Sequence, residues 1–187
     1  QLDLAARHLE ALLQGNPNDP QAMQLLGVVY SELGNHSRAL ELLRGAVNLA
    51  PAFTEALHNL ALVLISMGDF DAAAAALDKA IEQEPDAADT WLNLGNAERG
   101  RGQFDAAAKA FAKAAKLAPK NPMAALNQAL LMKEMAQLDK ALVLFDKAVT
   151  RFPDHAAAHD GRGACLIDLG RAGEAADAHA RAVELAP

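Results

Sequence analysis

The sequence predicts an all-α solenoid, in which about eleven helices stack as a series of repeated helix pairs. Three observations predict this fold: a 34-residue period, helical spacing of apolar residues between regular helix breakers, and an unusual composition. Of the 187 residues, 52% are hydrophobic but only 4% are aromatic. Alanine and leucine dominate and runs of β-branched residues are scarce, which favours closely packed helices over strands.

The period is visible in three residue types. Prolines recur at steps of 34 residues, at Pro17, Pro51, Pro85, Pro119, Pro153 and Pro187. Glycines follow the same step at Gly34, Gly68, Gly102 and Gly170, with Ala136 in the remaining slot. Alanines follow it as well, at Ala39, Ala73, Ala107, Ala141 and Ala175. Several residue types that share one period identify internal repeats, so each repeat is one supersecondary unit.

Residues 54–87 show how one unit is built. Apolar spacing predicts a first helix over residues 54–67, and Gly68 ends it because glycine readily adopts a left-handed backbone. Asp69 is a suitable N-cap for a second helix over residues 70–83, and Pro85 prevents that helix from continuing. Since neither helix can bury its apolar stripe alone, neighbouring units must stack.

The same pattern divides the chain into repeats without a visible linker. Full repeats cover residues 20–53, 54–87, 88–121 and 122–155, and the last repeat covers residues 156–187, two residues short of a full period. Residues 1–19 correspond to the second helix of an earlier, partial repeat. We therefore predict one repeat array over residues 1–187.

Residues 88–121 carry the closest match to a known pattern. The signature positions are occupied by Trp91, Leu94, Gly95, Ala107, Phe111, Ala114 and Pro119. On these residues the sequence resembles the tetratricopeptide repeat family, including the bacterial arrays and those of O-GlcNAc transferase-like proteins. Glu98 departs from the pattern, because an aromatic residue is usual there. The resemblance implies a right-handed superhelix in which the first helix of each repeat lines a concave groove.

An asparagine recurs in the groove-facing part of three first helices, as Asn59, Asn93 and Asn127. A side-chain amide offers both a donor and an acceptor, as an extended peptide backbone does. The three residues are therefore predicted to form a ladder that binds the main chain of a peptide. The alternative is that each amide bonds locally to the neighbouring helix.

Other side chains are predicted to line the same groove. The apolar ones are Leu62, Ile65, Leu92, Leu126 and Leu130, and the polar ones are His58, Asn96, Arg99 and Lys133. Exposed apolar patches often mark binding sites, although in a tightly curved array these side chains could pack against one another. We expect the ligand to be an extended or short helical segment with apolar side chains and an acidic flank.

The last repeat and one turn depart from the pattern. His159, Arg162 and His179 replace core residues, and Gly161 replaces the asparagine. These residues are consistent with a polar end of the solenoid, with a docking face for a following domain and with a metal site. Ala136 lacks the conformational freedom of glycine, so we expect the turn of the fourth repeat to be less sharp or frayed.

Composition excludes several functional classes. The net charge of −7 opposes binding to nucleic acid or to anionic membranes. No apolar run is long enough to span a bilayer. No catalytic constellation, metal-ligand set or cofactor motif stands out, so we expect neither an enzyme nor a cofactor. The single cysteine, Cys165, fits a reducing compartment, and we expect a cytoplasmic location, or a periplasmic one if a signal peptide was removed.

These observations predict a scaffold that binds a protein or peptide segment in its groove. Two alternatives stay open. Because the chain begins at Gln1, it could be a fragment and serve as the substrate-recruiting arm of a larger enzyme of the glycosyltransferase or sulfotransferase type. It could also be a self-assembling module, in which uncapped ends stack to form a homo-oligomer.

Overall fold

A computed structural model describes residues 1–186, and the last proline of the period, Pro187, lies outside the described part. The described residues form eleven α-helices and no strand, so the predicted all-α fold is confirmed. The helices are α1 (Leu2–Gly15), α2 (Pro20–Glu32), α3 (His36–Leu49), α4 (Thr54–Ser66), α5 (Phe70–Gln83), α6 (Ala88–Gly100), α7 (Phe104–Leu117), α8 (Pro122–Glu134), α9 (Leu138–Arg151), α10 (Ala156–Asp168) and α11 (Ala172–Leu185).

The helix boundaries follow local chemistry that repeats with the period. Each predicted repeat begins on the first residue of an even-numbered helix, and α5 occupies the predicted residues 70–83. The Asp69 side chain accepts a hydrogen bond from the backbone N–H of Ala72 at 3.2 Å, which confirms its role as an N-cap. Asp19 and Asn121 cap helices that start with a proline in the same way.

The turn inside each repeat uses a left-handed residue. Four glycines have φ between 74° and 79°, and Ala136 has φ 56° at the turn of the fourth repeat. The backbone N–H of Gln137 still reaches the carbonyl of Met132 at 2.9 Å, as that of Asp69 reaches Leu64 at 2.9 Å. The expectation of a less sharp turn at Ala136 is therefore wrong. The closing hydrogen bonds are kept, and alanine accepts a backbone conformation that is unfavourable for it.

The chain divides into two compact units, which are described separately. Unit 1 covers Gln1–Gly102 and contains α1 to α6, whereas unit 2 begins at Gln103 and contains α7 to α11. The division falls in the turn after α6, inside the third predicted repeat. Within unit 1 each helix packs on the next one, and α4 also contacts both α2 and α6. Within unit 2 each helix again packs on the next one, and α8 also contacts α10. A single array over the whole chain remains a prediction.

Small residues allow the helices of unit 1 to approach closely. Ala39, Ala46, Ala73 and Ala80 are fully buried. A Cβ atom added at Gly27 would lie 2.7 Å from Cγ of Leu43, so a larger residue in α2 would push α3 away. The packing density between such helices is close to that of crystals of small organic molecules. The sides of the helices that do not pack against a neighbour are available for other roles.

Unit 2 has a core of the same kind, which also contains buried aromatic rings. Phe145 is fully buried in a cluster that includes Leu142, Cys165 and Leu166. The ring also explains Gly161, because a Cβ atom added there would overlap it. Burial raises the pKa of the Cys165 thiol, so this residue behaves as a small buried apolar side chain.

A buried carboxylate replaces the aromatic residue that is usual at position 98. Glu98 is 9% exposed, and both of its carboxylate oxygens accept hydrogen bonds from Nη1 of Arg101, at 3.0 and 3.1 Å. Nε of Arg101 also donates to Asp71 at 2.7 Å. The buried charge is therefore paired, and the pair is tied to α5, the helix before it.

We predict that Ala136→Gly stabilises the protein by about 0.5–1 kcal/mol, because glycine reaches the left-handed conformation without the steric cost that alanine incurs. This value includes an opposing effect, since glycine also raises the conformational entropy of the unfolded chain. The reverse change, Gly68→Ala, should destabilise by a similar amount, since open space surrounds the added Cβ atom and only the backbone conformation is affected. Urea unfolding followed by circular dichroism measures both effects. Equal midpoints for Ala136→Gly and the unchanged protein would contradict this explanation.

Candidate functional site

The even-numbered helices of unit 1 present a common solvent-facing side. We call it the first-helix face and define it by Val28 of α2, His58, Asn59 and Leu62 of α4, and Asn93 of α6. The face exists because α4 contacts both α2 and α6, which brings equivalent positions of successive repeats next to each other. Three predicted site residues, His58, Asn59 and Leu62, lie on α4 at its centre.

Asn59 lies between two surface pockets on this face and lines both. The first, which we call the acidic pocket, has a volume of about 240 Å³ and is lined by Thr54, Glu55, His58, Asn59, Glu84, Asp89 and Thr90. The second, the apolar pocket, has a volume of about 290 Å³ and is lined by Val28, Ser31, Glu32, Leu43, Asn59, Leu62 and Val63. The Asn59 side chain is half-buried and makes no hydrogen bond to any other residue in 1–186.

Asn93 is in a different environment from Asn59. Its Nδ2 lies 3.4 Å from Nε2 of His58 on the neighbouring helix α4. Because an amide nitrogen only donates, the histidine nitrogen accepts and the ring carries its proton on Nδ1. Burial lowers the pKa of His58, and the nearby Asp89 carboxylate opposes that shift. The local bond that was the alternative to ligand binding is therefore present for Asn93.

The predicted apolar residues differ in exposure. Leu62 is 41% exposed and Leu130 is 39% exposed, while Ile65 and Leu92 are half-buried. Leu126 is 4% exposed and belongs to the core cluster around Phe145, so its assignment to a groove surface is wrong. The helical spacing correctly places it on α8, but the side chains packed over it remove it from solvent.

The predicted polar groove residues Asn96, Arg99 and Lys133 offer less free positive charge than an acidic ligand would need. Nζ of Lys133 lies 2.8 Å from the carboxylate of Asp168 on α10, so its charge is paired within unit 2. Asn96, Arg99 and Asn127 are half-buried and each already has an interaction partner within the protein. The expectation of an acidic flank on the ligand rested on Asn96, Arg99 and Lys133, and it therefore loses its basis.

The unusual residues of the last repeat have their own partners. Nε2 of His159 lies 2.8 Å from the carbonyl oxygen of Pro153, which matches the bond that Trp91 Nε1 donates to the carbonyl of Pro85 at 2.7 Å, two periods earlier. Because a carbonyl only accepts, His159 carries its proton on Nε2. Arg162 pairs with Asp146 at 2.7 Å. The predicted polar replacements are thus held by specific hydrogen bonds.

His159 and His179 do not converge on a common centre. His179 lies against Gly163, and its Nδ1 is 3.0 Å from the carboxylate of Asp160. Within residues 1–186, no three His, Cys, Asp or Glu side chains are arranged so that they could hold a metal ion. In the same range, no helix is both long enough and apolar enough to cross a bilayer.

The acidic pocket was missed as a site by reasoning from the sequence. Its carboxylates come from three places: Glu55 from the first turn of α4, Glu84 from the C-cap of α5 and Asp89 from the first turn of α6. The available signal was that Glu55 and Asp89 are one period apart, at the second residue of successive repeats. Periodicity alone did not indicate that Glu84 would join them.

Comparisons with protein families identify the repeat. Two family profiles described as tetratricopeptide repeat match residues 58–122 and 98–163, which together span more than half of the chain. A profile described as anaphase-promoting complex, cyclosome, subunit 3 matches residues 1–80. No curated protein matches the chain.

Solved structures share the fold at low sequence identity. MamA matches with a TM-score of 0.74 at 22% identity, over 86% of this chain and 94% of MamA. YrrB, described as a TPR protein with an unusual peptide-binding site, matches with a TM-score of 0.72 at 19% identity, over 97% of this chain and 94% of YrrB. TTC0263, a TPR protein from Thermus thermophilus, matches with a TM-score of 0.70 at 24% identity, over 90% of this chain and 92% of TTC0263. These likenesses establish the fold.

We predict that His58 makes stability depend on pH. Its pKa is lowered in the folded state, so the unfolded chain binds the proton more readily and stability falls as the pH drops below the ordinary value of 6.5. Relative to His58→Asn, the unchanged protein should therefore lose stability between neutral pH and about pH 5, as measured by urea unfolding. An NMR titration of the His58 ring with a midpoint at or above 6.5 would contradict the prediction.

Proposed function

The chain belongs to the tetratricopeptide repeat family, and from this premise we propose that it is a protein-interaction scaffold that binds an extended peptide on the first-helix face of unit 1. Arrays of this family typically act as non-enzymatic scaffolds, which supports the expectation that the chain does not itself catalyse a reaction. The same surface would serve a substrate-recruiting arm if the array belongs to a larger enzyme.

The proposal rests on the burial, position and hydrogen bonding of the Asn59 side chain. Its amide is half-buried, lies between two pockets and lacks a hydrogen-bond partner within residues 1–186. An asparagine amide offers a donor and an acceptor with the spacing of a peptide group. A peptide that lies across α4 can therefore replace the water at Asn59 with two main-chain hydrogen bonds, whatever its side chains are.

The apolar pocket supplies the second contact that such a peptide needs. Val28 and Leu62 line its sides, and Leu62 is partly exposed to solvent. An apolar side chain that enters this pocket removes both its own surface and that of Leu62 from water, which is favourable at roughly 25 cal/mol per Å² of apolar surface. Backbone bonding at Asn59 gives general affinity, and the pocket gives preference for particular sequences.

The fold comparison supports peptide binding as a role that this architecture can perform. YrrB has the same fold and is described as having an unusual peptide-binding site. Its low identity carries no residue-level information to this chain, so the placement of the ligand rests on Asn59 and the two pockets. A peptide of extended form fits this arrangement because the pockets lie on successive repeats and share one amide.

We predict that Asn59→Ala weakens peptide binding about tenfold, which corresponds to the loss of one or two hydrogen bonds. Ligands would be selected from a displayed library of random peptides of about twelve residues, and affinities measured by fluorescence anisotropy. Asn48→Ala is the matched control, because Asn48 is an exposed asparagine on α3, away from this face. Undiminished affinity in Asn59→Ala, or a library that yields no binding peptide, would refute the proposed function.

The three asparagines should not contribute equally. Asn93 already bonds His58 and Asn127 already has a partner within the protein, whereas Asn59 is unbonded among residues 1–186. We therefore expect Asn93→Ala and Asn127→Ala to weaken binding less than Asn59→Ala does, and the triple variant to resemble Asn59→Ala. Equal effects of the three single substitutions in the same anisotropy assay would instead indicate a uniform ladder.

A further inference from the structure

We infer that the acidic pocket of unit 1 binds the side chain of a lysine or arginine, and that this residue belongs to the same extended peptide whose apolar side chain enters the apolar pocket. The inference rests on the proposed function and specifies its ligand. It replaces the acidic flank expected from the sequence with a basic residue.

Unpaired carboxylates give the pocket its preference for a cation. Glu55, Glu84 and Asp89 all line it, and none of the three forms an ion pair with another residue in 1–186. No lysine or arginine is among the residues that line the pocket. A cleft with charges of one sign concentrates the electric field and attracts the opposite charge. The partner that neutralises these groups is therefore expected to come from outside the chain.

Thr90 provides an independent indication that the pocket is built for a ligand. It lines the pocket but is only 3% exposed, and its hydroxyl makes no hydrogen bond to any other described residue. The hydroxyl oxygen itself keeps some contact with solvent, so it can hydrogen-bond a group that enters the pocket. An ammonium or guanidinium group in the pocket could donate to the Thr90 hydroxyl.

The other polar residues of the pocket are compatible with a cation. Burial lowers the pKa of His58, so its ring is neutral at neutral pH and adds no repulsion. Its Nε2 is directed to Asn93 and is not available as a ligand. The three carboxylates do not form a metal site, since no group of three His, Cys, Asp or Glu side chains in residues 1–186 is close enough to hold a metal ion. The volume of about 240 Å³ instead suits a long side chain whose stem packs along the wall.

The shared residue Asn59 sets the spacing of the two side chains in the peptide. Neighbouring helices lie roughly 8–10 Å apart, and an extended chain advances about 3.3–3.6 Å per residue. The basic and apolar residues should therefore be two or three positions apart, with the intervening peptide group at Asn59. A separation of two places both side chains on the same side of the extended chain.

The experiment begins with the same peptide selection on the unchanged protein. The expected result is enrichment of lysine or arginine two or three positions from an apolar residue, in either chain direction. In a selected peptide, replacement of that basic residue by norleucine should weaken binding about fivefold to tenfold at low salt, and less at high salt. These measurements need no protein variant, so a folding defect cannot obscure them.

Protein variants then test whether the residues of the acidic pocket bind the basic side chain of the peptide. Glu55→Gln combined with Asp89→Asn should weaken binding of the basic peptide but hardly change binding of its norleucine analogue. Thr90→Val should weaken binding of the basic peptide by a factor of about two to five. Glu82→Gln combined with Asp3→Asn is the matched control, since both carboxylates are exposed, lie outside the pocket and change the net charge equally.

The outcomes separate the two proposals. If selected peptides lack basic residues, or bind equally well as norleucine analogues, the inference about the acidic pocket is overturned. The proposed function then still stands if Asn59→Ala weakens binding. If the pocket variants and the control variants weaken binding equally, the effect is one of net charge and the inference is also overturned. If no peptide is selected, both proposals fail.

Discussion

The structure depends on one constraint: each helix has an apolar stripe that only a neighbouring helix can bury. Alanines at the contact positions, such as Ala39, Ala46 and Ala73, are fully buried, and they allow this burial at short interhelical distances. Each helix therefore commits one side to packing, and this commitment repeats with the period. The side that faces solvent is free to differ between repeats, which is why residues that could bind a ligand lie there.

Much of the fold could be predicted from the sequence because its determinants are local and recur. Helix α5 occupies residues 70–83 as expected, since a capping aspartate and a terminating proline act within a few residues of the helix ends. The burial of individual side chains could not be predicted from the same local signals. Leu126 has the spacing of a groove residue but lies in the core, because burial is decided by the bulk of residues distant in sequence, such as Phe145.

At the candidate site, too, the repeat pattern predicted where residues lie but did not predict their contacts. Periodicity predicted three equivalent asparagines, but Asn59, Asn93 and Asn127 have different surroundings. Asn93 bonds His58, which lies about one period earlier in the chain, and the positions equivalent to His58 in the neighbouring repeats are not histidine. Lys133 is likewise paired by Asp168 of the next repeat. A repeat pattern therefore predicts the positions that face a surface, whereas the charge and free hydrogen bonds of that surface depend on the non-repeating residues.

The bond from Trp91 to the Pro85 carbonyl, and its counterpart from His159 to Pro153, change the meaning of a signature position. A residue that a family pattern describes as large and aromatic also supplies a ring N–H to the preceding interrepeat turn. Histidine lacks the bulk of indole but retains that donor. A ring N–H therefore lets tryptophan and histidine fasten a repeat to the turn before it in the same way, a link that Met23, Leu57 and Ala125 at the equivalent positions cannot supply through their side chains.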